Sequence, residues 1–163
     1  TFFGADSELD MSVKSVATND QMPVYAYHRL LKIFGSIRGA NVILFGVSYR
    51  GDVGDTRFSP VESMVNLLQS GGAKIKVHDP FVSYWSELSC HVESKIEKAL
   101  ESHPDLIIIS TAHSSYKRES FVDKILKLPA LTVYDAVGLF SNDQIQKLKL
   151  KHAVSVLGRG DIT

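Results

Sequence analysis

Arg50, Asp52, Asp55 and Arg57 crowd into one stretch between Asn41 and Pro60, NVILFGVSYRGDVGDTRFSP, together with Gly46, Gly51 and Gly54. Arginine offers a planar fork of donors that fits phosphate or carboxylate bidentately, and a neighbouring carboxylate can orient that fork or accept from a sugar hydroxyl. The stretch ends in Ser59-Pro60-Val61-Glu62, which reads as a helix start. Ser59 is the cap, Pro60 sits at the first helical position where its missing N–H costs nothing, and Glu62 completes a capping box. A helix N-terminus adds free N–H groups and the positive end of its dipole, so the chemistry expected of the loop is the holding of a phosphate or carboxylate group. The competing reading is an Asp55–Arg57 surface pair that satisfies only itself.

Other polar residues carry weaker signals. The three loop glycines lack the G-x-G-x-x-G spacing and no G-K-[ST] follows, so neither a dinucleotide fingerprint nor a P-loop is present. Asp79 ends a second strand and imitates the acidic residue that holds a ribose in NAD-binding domains, although a turn-former before Pro80 is the simpler reading. His78, His103, His113 and His152 show no metal-ligand spacing. Ser110-Thr111-Ala112-His113 follows a buried strand, on the edge where a catalytic base would stand, whereas His103-Pro104-Asp105 reads as a turn. The single cysteine, Cys90, cannot form an internal disulfide, and His91 beside it points to the opposite face of a strand, so Cys90 is read as a small packing residue.

The elements that must position these residues alternate in type. Val42–Phe45 is a short apolar strand ending at Gly46, and Val61 through Leu68 is a helix that stops at Gly71-Gly72. Lys74–His78 is a second strand, residues 81–90 are irregular, and 93–100 suit a short helix. Residues 105–109 form a buried strand, apolar from Leu106 on, 116–128 a helix, 131–134 a strand, a helix capped by a Ser141/Gln144 box follows, and 153–157 closes as a strand. Ahead of them, Asn19 or Asp20 is expected to cap a helix carrying Val24, Tyr27, Leu30, Leu31 and Phe34. Residues 1–18 are weakly periodic and start at Thr1, as a cut or processed chain would. The pattern predicts an α/β fold, a Rossmann-like doubly wound parallel sheet with helices on both faces, preceded by one helix. The boundary is expected near 36–39, dividing residues 1–37 from 38–163. In such a fold the Arg50 loop lies at the carboxyl ends of the strands, where ligands bind, and its dozen residues exceed the usual length of about 2–6.

Bulk properties narrow the partners. The 163 residues have a formal net charge of zero, which suggests no general affinity for nucleic acid or anionic membrane, and Lys147, Lys149 and Lys151 read as a solvated helix end. No apolar run approaches the roughly 20 residues of a membrane span, and no signal peptide is recognised, so a cytoplasmic setting is expected.

The segment GVSYRGDVGDTRFSP resembles the opening of the C-terminal domain of the UDP-glucose/GDP-mannose dehydrogenase family, whose pattern runs glycine, aromatic, lysine, an acidic pair, arginine, Ser-Pro. Asn19-Asp20-x-Met22-Pro23 is similar to the family's helix leaving the central domain, Val77-His78-Asp79-Pro80 to its Tyr-Asp-Pro strand end, and Leu157-Gly158-Arg159-Gly160 to its closing Gly-Arg-Gly. The matches run in order over residues 19–160. The resemblance implies the nucleotide-sugar-binding domain of an enzyme that oxidises a UDP-sugar primary alcohol to a carboxylate in two hydride transfers, through a thiohemiacetal on cysteine, in polysaccharide or envelope synthesis. It implies that NAD is bound by an N-terminal domain outside this sequence, that residues 1–37 end a central dimerisation domain, and that the full-length protein is a homodimer or larger. Tyr49 and Arg50 would then line the sugar or phosphate side, Asp55 and Arg57 would shape the loop, and Arg159 would help at the site or interface. Arg50 stands where the family has lysine, Val53-Gly54 where it has Thr-Asp, and Val137 where it has an arginine. Lacking the NAD fingerprint and the cysteine segment, the chain is not expected to catalyse alone. The alternative is a non-catalytic nucleotide-binding or oligomerisation module of the same fold.

Overall fold

A computed structural model describes the backbone of residues 8–160, with side chains from residue 12 onward. The expected processed start at Thr1 lies outside these residues. In chain order the elements are α1 (Glu8–Phe34), β1 (Asn41–Phe45), α2 (Val61–Ser70), β2 (Lys74–His78), β3 (Tyr84–Trp85), β4 (Cys90–His91), α3 (Ile96–Leu100), β5 (Leu106–Ile109), α4 (Glu119–Leu126), β6 (Thr132–Asp135), α5 (Asn142–Lys149) and β7 (Ala153–Val156).

Strands β1 and β5 are unbroken apolar runs because both of their faces are covered, as a parallel sheet between helices requires. Five strands pair in the order β2-β1-β5-β6-β7, all parallel, with Val42 opposite Ile75 on one side and Leu106 on the other. Alternate residues divide the core in two. Ile43, Phe45, Ile107, Ile109 and Val133 pack with α3, α4 and α5, whereas Leu44, Leu106, Ile108 and Tyr134 pack with α1 and α2. Helices therefore cover both faces, and the strand order reverses between β1 and β5, which opens a crevice at the carboxyl edge there.

Three local expectations are corrected. Asn19 and Asp20 do not cap a helix, because α1 runs without a break from Glu8 through Pro23. The stretch 12–22 is exposed, and only from Pro23 does the helix meet the core, burying Ala26 and Leu30 while the Tyr134 hydroxyl donates to Ala26 O at 3.1 Å. At α2 the capping box is not formed. Pro60 takes the cap position, and the Ser59 hydroxyl accepts only the Val61 N–H, at 3.4 Å. Residues 81–90, expected to be irregular, contain the β3–β4 hairpin around the fully buried Trp85. The second capping box is present as expected: the Ser141 hydroxyl accepts from Gln144 N and the Gln144 carboxamide accepts from Ser141 N.

Candidate functional site

The loop after β1 is held from both sides by the strands that flank β1. Asp79, at the end of β2, is fully buried, and its Oδ2 accepts from Val47 N (2.9 Å), Ser48 N (3.2 Å), the Ser48 hydroxyl (2.9 Å) and His113 Nε2 (3.0 Å). Its Oδ1 accepts from Phe81 N at 2.9 Å. Burial opposes the charge, but the His113, Phe81 and Val47 donors together hold the Asp79 carboxyl below the ordinary range. With its oxygens occupied inside the protein, Asp79 does not fit the role of a ribose-binding acid.

His113, after β5, bridges Asp79 to the loop. Its Nδ1 accepts from Asp52 N at 2.9 Å, so that nitrogen carries no proton, and Nε2 is the one that donates to Asp79. The imidazole is fully buried and engaged at both nitrogens, which removes it as a catalytic base toward substrate. Asp52 itself sits at φ +61°, and its carboxylate accepts from Ser114 N at 2.9 Å and from the Ser114 hydroxyl. Those bonds, the hydroxyl's first, lower the Asp52 pKa.

The loop glycines let backbone approach backbone. A Cβ on Gly51 would lie 2.5 Å from Ala112 O, so the chain can run beside the β5 loop only as glycine. Tyr49 N donates to Asp55 O at 2.7 Å and closes the loop on itself.

The expected site residues separate into two groups. Asp55 and Arg57 form the self-contained pair: Arg57 Nε and Nη2 reach Asp55 Oδ1 and Oδ2 at 3.0 and 2.8 Å. The Arg57 fork, and its backbone N–H next, lower the Asp55 pKa to about 2. Tyr49, 63% exposed, and Arg50 project from the loop, and among the described residues Arg50 makes no hydrogen bond or ion pair. Arg159 stands after β7, separated from β1 by β5 and β6, three strand spacings or about 14 Å along the edge. Its Nη1 donates to Asn142 Oδ1 at 2.7 Å. The helix N-terminus offers less than expected, since Pro60 has no N–H and Val61 N is taken by Ser59.

Sequence reasoning undervalued Asp79 and His113, and it did not reveal an apolar cavity of about 130 Å³ at the same edge, lined by Met22, Pro23, Ala26, Met64, Ile108 and Val137 among others. Its serine, Ser110, turns its hydroxyl to Phe45 O and Gly46 O, so the cavity is apolar and distinct from the charged loop. Among the described residues no cluster of His, Cys, Asp or Glu could hold a metal ion, and no helix is long and apolar enough to cross a membrane.

Buried histidines make the fold acid-sensitive. Burial lowers the pKa of His78, whose Nδ1 meets the Tyr116 hydroxyl at 2.8 Å, and of His152. A lowered folded-state value means the unfolded chain takes up protons first, so stability is full above the unfolded value of about 6.5 and declines as pH falls below it. The unfolding free energy from urea titration is expected to drop between pH 7.5 and 5.5, by at most about 1.4 kcal/mol per pH unit for each histidine, and the urea midpoint with it. A midpoint independent of pH over that range would show that neither histidine is held neutral by the fold.

Residues 43–142 match the UDP binding domain of the UDP-glucose/GDP-mannose dehydrogenase family. The chain belongs to this family. The UDP-N-acetyl-D-mannosamine dehydrogenase of Methanococcus maripaludis is 30% identical over 148 residues, covering 87% of this chain and 33% of that protein. The UDP-glucose 6-dehydrogenase of Bacillus subtilis is 25% identical over 136 residues, 80% of this chain and 29% of that one. The fold is shared with the crystal structure of an NDP-N-acetyl-D-galactosaminuronic acid dehydrogenase from Methanosarcina mazei, with a TM-score of 0.77 and 24% identity over 98% of this chain and 33% of that one. The chain thus spans about a third of the relatives it matches. Within the family domain, the match begins in β1 and takes in the Arg50 loop, Asp79 and His113.

Proposed function

We propose that this chain is the substrate domain of an NAD-dependent nucleotide-sugar dehydrogenase that oxidises the C6 alcohol of a UDP-sugar to the uronic acid, with NAD bound by a domain outside the sequence. The observation that carries this reading is Arg50. On a loop whose other charges are satisfied internally, Asp52 by Ser114 and Asp55 by Arg57, Arg50 is exposed and without a partner among the described residues. A guanidinium kept free on a rigid loop at the carboxyl edge suits a diphosphate, and Tyr49 beside it supplies a sugar-facing hydroxyl and ring. Asp55 and Arg57 act as a brace for the loop, and Arg159 serves a neighbouring part of the site or a subunit interface. Residues 1–37 are assigned to the end of a central helical domain and 38–163 to the nucleotide domain. The exposed stretch 12–22 of α1, with Val13 and Val16 each more than 60% exposed, favours a homodimer or larger assembly of the full-length protein. The family setting supports polysaccharide biosynthesis in the cytoplasm.

Calorimetric titration with UDP, and with GDP as control, tests the reading. Arg50→Ala is expected to weaken UDP by about 10- to 150-fold, the worth of a hydrogen bond to a charged group. Equal UDP affinity in wild type and variant would remove Arg50 from the site. The relatives named for N-acetylmannosamine and for glucose make a panel of UDP-sugars with NAD the assay for the full-length enzyme.

A further inference from the structure

We infer that Phe81 is a stacking platform for the nucleobase of the bound nucleoside diphosphate, an assignment that rests on the proposed UDP-sugar reading. The ring is 52% exposed, yet nothing about it is loose. Its backbone N–H is fixed by Asp79 Oδ1 at 2.9 Å, behind the rigid Pro80. Its carbonyl backs onto Gly54, where an added Cβ would come within 2.6 Å. One side of the ring leans on the His113 imidazole, centroids 5.2 Å apart and planes 33° apart, and His113 is itself held at both nitrogens. The result is an aromatic ring with one side covered and the other presented to solvent.

Phe58 marks the contrast. It is 95% exposed at φ +58°, and no neighbouring ring fixes it. Phe81, in contrast, is both exposed and backed by a fixed ring beside the Arg50 loop, the condition under which a flat apolar contact loses little entropy on binding. It is also close to the free cation. His113 touches Phe81 on one side and Asp52 N, 2.9 Å away, on the other, and Arg50 precedes Asp52 by two residues, at most about 7 Å of chain. One open aromatic face and one guanidinium on the same rigid loop system match the two ends of a nucleoside diphosphate.

The test is UDP titration of wild type, Phe81→Leu and Phe81→Trp, with the thermal midpoint of each. Phe81→Leu is expected to keep the midpoint and weaken UDP by about 5- to 150-fold, the range for loss of one base–aromatic stack. Phe81→Trp is expected to retain affinity, with the introduced indole quenched on UDP addition, while Trp85, fully buried, serves as the reference emission. Unchanged affinity in Phe81→Leu, or affinity and midpoint falling together, overturns the assignment. Wild type that binds no UDP fails the proposed function itself, and the stacking role with it.

Discussion

Asp79→Ala is expected to destabilise the chain by about 3–5 kcal/mol, lowering its thermal midpoint by roughly 6–20 °C. Five donors converge on this buried carboxylate: Val47 N, Ser48 N, the Ser48 hydroxyl, His113 Nε2 and Phe81 N. Alanine removes every acceptor and leaves buried N–H groups without partners, each costing about 1–3 kcal/mol if water cannot reach it. Asp79→Asn separates charge from geometry. Its oxygen can take the four-donor position of Oδ2, which puts its NH2 against the Phe81 N–H, so a smaller loss of about 1–3 kcal/mol is expected. Urea denaturation of both variants measures the order. Equal losses would mean that the negative charge, and not the number of acceptors, holds the loop.

Gly46→Ala carries the second large effect. Gly46 has φ +96°, and a Cβ there would come within 2.8 Å of Thr111 N and closer still to the Thr111 side chain. The left-handed backbone costs an L-residue about 1–2 kcal/mol, and forced overpacking adds about 1–3 kcal/mol. The steric part falls on Thr111 Cβ and N, atoms whose positions the backbone fixes, so neither can swing aside as the far end of a flexible side chain would. Gly35→Ala isolates the first part, since Gly35 has φ +85° with nothing within 4 Å of the added atom. The expected result is a loss for Gly46→Ala of about twice that for Gly35→Ala or more. Similar losses at the two positions would show that the β1–β5 crevice opens without resistance.

The architecture was legible from pattern alone where period and burial agree: the apolar runs of β1 and β5, the Ser141/Gln144 cap, and the alternation that demands a parallel sheet. Local rules failed where tertiary contacts compete with them. Ser59-Pro60-Val61-Glu62 satisfies the spacing of a capping box, but Pro60 itself occupies the cap position and the box does not close. Asn19 and Asp20 looked like helix caps, and the helix passes through them. Within the candidate site, the exposed place of Arg50 on the loop after β1 could be read from its residue type and position. The roles of Asp79 and His113 could not, because they depend on β2 and β5 flanking β1, a fact of strand order that brings residues 34 apart in sequence to 3.0 Å. Asp55 and Arg57 were read as both site and surface pair, and the bidentate geometry assigns each to the other.

The bonds from Asp79 and His113 also change what kind of loop this is. Binding loops are ordinarily drawn from the least stable parts of a protein and open on their own. Here the amides of Val47, Ser48 and Asp52 are tied to partners 31–61 residues away, on strands at either side of β1. The loop has no stability separate from the sheet. The amide hydrogens of Val47, Ser48 and Asp52 are therefore expected to exchange through the same opening that exposes the core strands, since their acceptors are in place only when β2 and β5 are docked on β1.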